Sequence, residues 1–539
     1  MILENKAQEE AIHTVDGQML IIACPGSGKT TTLLRRINYM VTEANINPTG
    51  ILMITFTKAA ADEMNKRYIS MFGENPGITF STIHALCFDI VKKYGKKRVD
   101  IITEIEVYNY FNFRVRYIDQ INDKDEFVAD LILDISVMKN NMLSLSEYQP
   151  KCTEDKELFS NLYTGYEEYK DKESKIDFDD MLVMAKEILD TNPEILLYLR
   201  SSYPYIQVDE YQDTNELQYK ILSSIVRADK KIQVTFVGDT DQAIYGGLGG
   251  VAKTCDELQK EFGVKFLERK LDGCYRSTQR IVDYYSYFQL KGMKIQAVSD
   301  IKDEIGCLIY DNTINKSELF EKIACIVKDE LSKGIPETEI CIIAPQWWLL
   351  FPLSKKMKDL LPNVKFDAPD ITPIKYDPMN IFYLISKLLF TESGIRITSR
   401  KRVANEIIEI LTEEYKIRLS EQIDSYRVLK VINSIYPTNE NGIAYLQEAI
   451  TKFLVGIGIE LSIEASLYKA YEDFMERIKD RVKNNHLSTD IDVFRQCFKE
   501  KEGVVINTFH GVKGEEYTTV IAFGILKGYI PHWDIIINK

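Results

Sequence analysis

Residues 23–30 read Ala23-Cys24-Pro25-Gly26-Ser27-Gly28-Lys29-Thr30. Glycines at two of these positions let backbone N–H groups turn inward around phosphate oxygens, and a helix starting just after them adds partial positive charge. A lysine here suits the β- and γ-phosphates of a nucleotide, and a following hydroxyl suits Mg²⁺. Lys29 and Thr30 are therefore the candidates for those two tasks. Position 23 is Ala where the general pattern has Gly. The complementary chemistry needs carboxylates at a second strand end. Asp209-Glu210 follows the apolar run at 205–208. Asp209 suits contact with Mg²⁺, and Glu210 suits polarising an attacking water. Further on, Gly238-Asp239-Thr240-Asp241-Gln242 follows another apolar run. Its Gln242 is a candidate to contact a γ-phosphate and sense its loss.

These residues need a scaffold that brings several strand ends together. Short apolar runs at 18–23 and 50–55 alternate with helical patterns starting at Thr30 and Ala59. Buried strands alternating with helices read as an α/β fold whose parallel sheet is covered on both faces. Residues 93–174 are mostly charged and helical in period, as at 125–139. Strand runs return at 205–208 and 232–237. A third alternating section covers 271–375, with a strand at 340–344. Residues 376–499 are again helical, for example at 403–415 and 465–482, and strand patterns close the chain at 503–507 and 519–523. Two α/β sections, each interrupted by a helical one, follow from this pattern. Such insertions need closely spaced entry and exit points.

Composition limits the alternatives. The chain has 539 residues, enough for several domains, and its 45% hydrophobic and 27% charged content is that of a globular protein. No apolar run approaches the roughly 18–20 residues of a membrane helix. The N-terminus lacks a basic region followed by an apolar one, so no signal peptide and a cytoplasmic location are expected. Nine cysteines occur without a C-x-x-C pair or a neighbouring histidine at metal spacing, so reduced, buried thiols are expected. A net charge of −14 argues against coating nucleic acid wholesale but allows a local groove.

The motifs, in their order, resemble those of superfamily 1A DNA helicases of the UvrD/Rep/PcrA type. Residues 3–12 resemble the Q motif, 55–64 motif Ia, 81–85 motif Ib, 208–214 motif II and 238–245 motif III. Residues 271–281 resemble motif IV and 508–517 motif V, while 177–181 (DFDDM) is a further family hallmark. The resemblance implies that Gln8 reads the adenine edge, Tyr275 packs on adenine, Arg276 reaches the γ-phosphate from the second domain and Glu516 lies near the ribose. It implies that Phe56 stacks a DNA base, a position that also suits a single-strand groove built from aromatics and polar groups. Thr55 and Thr57 would meet the backbone, and Thr82, His84, Tyr245, His510 and Lys513 would lie along the DNA. The implied architecture is two RecA-like domains: 1A (1–92 and 175–270) with insertion 1B (93–174), and 2A (271–375 and 500–539) with insertion 2B (376–499). The implied activity is ATP- and Mg²⁺-dependent 3′→5′ movement on single-stranded DNA, or at a single/double-strand junction, in repair, recombination or defence.

Three departures qualify the expectation. After Tyr245 the family continues with an aromatic and an Arg, whereas here Gly247 and Leu248 stand. That predicts a weaker grip on DNA. Cys274 replaces the usual Asn. The family's motif VI, a helix carrying an Arg for the γ-phosphate, is expected some tens of residues after motif V. Only 22 residues follow Tyr517, none of them Arg. The expectation is therefore a piece of a longer helicase, with domain 2A incomplete, that binds ATP and hydrolyses it slowly. The alternative is a helicase-like ATP- and DNA-binding subunit that works with a partner such as a nuclease. Trp347-Trp348, after the strand at 340–344, is expected to be a buried anchor.

Overall fold

A computed structural model describes the chain except residues 1–5, 96–99, 103, 117, 119–120, 122, 228–230, 244–248, 290–291, 369–371, 376, 378–379, 392–396, 421, 437–438, 486, 499–502 and 527–539. The chain forms two compact units, residues 1–310 and 311–539.

In the first unit, β1 (Gln18–Ala23), β2 (Ile51–Thr55), β3 (Thr79–Thr82), β4 (Tyr205–Val208), β5 (Gln233–Gly238) and β6 (Phe266–Leu271) form one sheet in the order β3-β2-β4-β5-β1-β6. Every neighbouring pair is parallel. Alternate side chains of a strand point to opposite faces, and both faces are buried here. Met19 and Ile21 of β1 join a core with Leu33, Ile37 and Met64 from the helices Lys29–Thr42 and Lys58–Phe72. Leu20, between them, joins the opposite core with Cys87, Leu182 and Leu222. The order reverses beside β1, whose neighbours are β5 and β6, so a crevice opens at its C-terminal end.

Arg36 is an unexpected member of this core, fully buried on the helix Lys29–Thr42. It donates to Ala11 O (2.7 Å), Thr14 O and Gln207 Oε1 (3.2 Å), which ties the end of the helix Lys6–His13 to the sheet. Burial lowers its pKa to about 10, so it stays charged at neutral pH.

Within the first unit a helical insertion leaves the sheet domain after Asp100–Ile101 and returns at Lys175–Ile176, and these two short strands pair with each other. Entry and exit are thus adjacent. Its helices, Glu104–Val115, Lys124–Asn140 and Lys156–Glu173, share a core of Phe111, Leu131, Phe159 and Tyr166. A buried ion cluster fastens it to the sheet domain. Lys139 and Lys170 from two insertion helices each meet Asp177, Asp180 and Glu167 within 3.0 Å. Asp177 and Asp180 also form the capping box of the helix Phe178–Thr191. The hallmark run at 177–181 therefore has a structural task at the root of the insertion.

Residues 271–310, expected at the start of the second α/β section, lie in the first unit. There Cys274, Val282 and Ile295 pack with Cys24 of the phosphate loop.

The second unit has its own parallel sheet of β7 (Ile340–Ala344), β8 (Phe366–Asp367), β9 (Val504–Thr508) and β10 (Thr519–Ala522), in the order β8-β9-β7-β10. A second helical body, with a core that includes Phe382, Ile407, Phe453 and Phe474, is inserted between β8 and β9. The helix expected at 403–415 begins earlier, at Ile397, and its last turn widens to a π-turn, Ile410–Glu414. The tryptophan pair is a partial correction. Trp347 packs on the core, but Trp348 is half exposed, because the pair opens the helix Trp347–Leu360 and only one face of a helix can be buried. Among the described residues no helix is long and apolar enough to cross a membrane.

Candidate active site and nucleic-acid edge

The loop between β1 and the helix Lys29–Thr42 turns through Gly26 (φ 72°) and Gly28 (φ 75°), a backbone region that favours glycine. A Cβ on Gly26 would stand 2.7 Å from Arg276 Cβ. Backbone bonds from Cys24 N to Leu271 O (2.9 Å) and from Tyr275 N to Gly26 O (2.8 Å) strap the loop to residues 271–275. Gln8 lies against it, donating from Nε2 to Ser27 O (2.9 Å) and accepting from the Tyr275 hydroxyl (2.9 Å). Ser27 Oγ is buried and has no hydrogen-bond partner. An orphaned polar atom of this kind costs about 1–3 kcal/mol, and a phosphate oxygen would satisfy it. Pro25 and Thr30 are half-buried on either side of the turn. Cys24 is a different case. Burial, with Cys274 and Asp239 nearby, pushes its thiol up to about 12, so it is protonated and unreactive.

The acidic pair stands at the end of β4. The Asp209 amide donates to Ile54 O of β2 (2.9 Å). Glu210 has a left-handed backbone (φ 51°), a conformation that costs a non-glycine residue energy and often marks a functional turn. Its Oε2 accepts from Lys29 Nζ (3.2 Å) and from Gln212 Nε2 (2.6 Å). Gln212 Oε1 in turn accepts the Asp239 amide (3.1 Å), and Asp239 Oδ2 accepts from Gln242 Nε2 (2.8 Å). Burial raises the Asp239 pKa, while Lys29 pulls it the other way. The structure thus gathers Gln8, the 23–30 loop, Asp209, Glu210, Gln242, Tyr275 and Arg276 within the first unit. Arg276, expected from a second domain, lies on this side.

A second edge lies at the ends of β2 and β3, where Thr55 and Thr82 are register partners. Thr57 Oγ1 caps the helix Lys58–Phe72, and Thr82 Oγ1 caps the helix Ile83–Tyr94. Two helix N-termini therefore open side by side, a setting suited to phosphate oxygens. Phe56, 40% exposed, projects from this edge. His84, whose pKa burial lowers, sits edge-on to Phe178 at 6.4 Å between ring centroids. Tyr245, Gly247 and Leu248 lie outside the described residues. In the second unit, the turn after β9 carries His510 and Glu516 exposed and Lys513 half-buried. A Cβ on Gly511 there would stand 2.1 Å from Asn507 Oδ1, so the turn needs its glycine.

Residues 4–263 match the UvrD/REP helicase N-terminal domain. The chain is 34% identical over 286 residues to the ATP-dependent DNA helicase PcrA of Leuconostoc citreum, covering 52% of this chain and 38% of that protein. It is 25% identical to PcrA of Staphylococcus aureus, over 98% of this chain and 78% of that protein. PcrA of Staphylococcus epidermidis is 26% identical at the same coverage. Residues 4–263 thus carry the N-terminal domain of the UvrD/Rep helicases. Sequence reasoning passed over two residues that matter to this site. Phe178, half exposed in the DFDDM run, shares an edge with His84. An aromatic flanked by acids at a helix start was the available signal. Gln212, inside the quoted motif II, gave none, because only the fold shows which atoms its amide meets.

Proposed function

We propose that the chain is an ATP-dependent DNA helicase or translocase that moves 3′→5′ on single-stranded DNA. The observation that carries this reading is one backbone bond, Asp209 N–H to Ile54 O (2.9 Å). It makes the nucleotide carboxylates and the Phe56 edge neighbouring strand ends of one sheet, so a shift at either is felt by the other. The two sheets fit RecA-like domains 1A and 2A, with the helical bodies as 1B and 2B.

On this reading Lys29, the loop amides and Ser27 Oγ bind the phosphates, and Tyr275 and Gln8 flank the adenine. The orphaned Ser27 hydroxyl and the two left-handed glycines fit that ligand. Thr30 and Asp209 would hold Mg²⁺, which supplies charge neutralisation on the β- and γ-phosphates. Glu210 polarises the attacking water, Gln242 senses the γ-phosphate and Arg276 stabilises charge on it. Lys29 is engaged by Glu210, so arriving phosphates exchange one anionic partner of the lysine for another. Phe56 and Phe178 offer stacking faces, and the helix N-termini behind Thr57 and Thr82 attract the backbone. In the second unit His510, Lys513 and Glu516 are the candidates for contacts with DNA and ribose that the family resemblance implies.

The test is ATP hydrolysis with and without single-stranded DNA, together with strand displacement from 3′- and 5′-tailed duplexes. Expected are DNA-stimulated hydrolysis lost in Lys29→Ala and Glu210→Gln, and displacement only from the 3′ tail. Hydrolysis indifferent to DNA and to both substitutions would refute the proposal.

A further inference from the structure

We propose that Gln212 is a positioning residue that aims Glu210 and couples it to Gln242. The proposal rests on the function just argued. Gln212 is fully buried, in the 3₁₀ turn Tyr211–Asp213 that follows the acidic pair. Both ends of its amide are used. Nε2 donates to Glu210 Oε2 at 2.6 Å, and Oε1 accepts the Asp239 N–H at 3.1 Å. Chemistry fixes this orientation, since a backbone N–H needs an acceptor and a carboxylate needs a donor. A flipped amide would set oxygen against oxygen and N–H against N–H.

The pocket around the amide is reserved for it. A Cβ on Gly238 would stand 2.1 Å from Gln212 Oε1. Gly238 has no left-handed backbone, so its missing side chain reflects space rather than conformation. The neighbouring strand residue Gln207 is equally buried but leaves its Nε2 without a partner, which marks the full pairing of Gln212 as a built feature.

The bonds form one relay: Lys29 Nζ to Glu210 Oε2, Glu210 to Gln212, Gln212 to the Asp239 amide, and Asp239 Oδ2 to Gln242 Nε2. When phosphates draw Lys29 away, the Gln212 bond still holds the carboxylate. When Gln242 engages a γ-phosphate, any shift of Asp239 reaches Glu210 through the same amide. Gln212 touches no reacting atom and works through Glu210.

The test is Gln212→Met, which keeps the shape and removes both bonds, assayed by single-turnover ATP hydrolysis on single-stranded DNA and by nucleotide binding. The hydrolysis constant should fall about 100-fold, the order of loss from a small misplacement of a reacting group, with nucleotide affinity unchanged. Gly238→Ala, which displaces the amide without removing it, should reproduce the split and covers the case of a poorly folding Gln212→Met. Adding Gln212→Met to Glu210→Gln should cost nothing further. Full hydrolysis in both Gln212→Met and Gly238→Ala, or equal loss of binding and hydrolysis, would overturn the assignment. A wild type that hydrolyses no ATP would instead overturn the function on which it rests.

Discussion

Replacing Lys170 by Met should open the root of the first helical insertion. Lys170 Nζ lies 2.7 Å from Asp177 Oδ2, 2.5 Å from Asp180 Oδ2 and 2.9 Å from Glu167 Oε1, and its side chain is 3% exposed. Lys139 meets the same three carboxylates. Two ammonium groups therefore face three carboxylates, and the substitution takes the net charge of the cluster from −1 to −2. Removing one partner of a buried ion pair costs about 3–5 kcal/mol. Glu167 is 36% exposed, and solvent screens part of that, so the expected loss is about 3 kcal/mol. Methionine preserves the volume of the stem, so little of the loss is packing. The sign with pH follows from Asp177. Burial pushes its pKa up, but Lys139 and Lys170 outweigh burial and hold it well below the usual carboxylate range. Stability from a depressed carboxylate is present above its unfolded value and lost as pH falls through its folded one. Without Lys170 the carboxylates take up protons more readily. The deficit of the variant should therefore shrink as pH falls below the unfolded carboxylate value of about 4. Hydrogen exchange resolved by peptide reports on the helix Phe178–Thr191 and the ends of the helices Lys124–Asn140 and Lys156–Glu173. Faster exchange there by about 100-fold is the expected result, since ~1.4 kcal/mol is a factor of ten. A change below about 1 kcal/mol, the size of a surface pair, would refute the reasoning.

Other outcomes follow from the same structure. Burial, with Asp177 close by, raises Asp179 to about 6. A raised carboxylate contributes stability below its unfolded pKa that is lost as pH rises through 6. Asp179→Asn should therefore stabilise by about 1–2 kcal/mol at pH 7.5 and not at pH 4, read from denaturant midpoints. The new amide also faces Asn140, whose Oδ1 lacks a partner. Phe56→Ala should weaken single-strand binding by about 1–3 kcal/mol in anisotropy titrations, with nucleotide affinity unchanged. Arg36→Met strands the carbonyls of Ala11 and Thr14 and should cost about 3 kcal/mol, detected as early exchange of the helix Lys6–His13.

Much of this site is legible in sequence because its residues are consecutive. The 23–30 loop and the Asp209-Glu210 pair directly follow strands, Gln242 lies four residues past another, and strand ends of a parallel sheet converge. The alternation of apolar strand runs and helical stretches likewise points to two parallel sheets. What lay beyond reach depends on contacts between distant segments. Nothing in its neighbours marks Arg36 as buried, because its partners come from residues 11, 14 and 207. The same holds for Gln212, whose second partner is Asp239. Trp348 illustrates a third limit. Apolar character predicted burial, but the helix beginning at Trp347 turns it outward.

The central claim is that one chain couples a nucleotide site to a single-strand site through adjoining strand ends. Reciprocal linkage tests it without requiring turnover. Single-stranded DNA affinity should be measured with and without a non-hydrolysable ATP analogue and Mg²⁺, in wild type and in Lys29→Ala. The analogue should shift the wild-type affinity by at least about fivefold and leave Lys29→Ala unmoved. An affinity that ignores the analogue in wild type, or shifts equally in Lys29→Ala, would contradict the account.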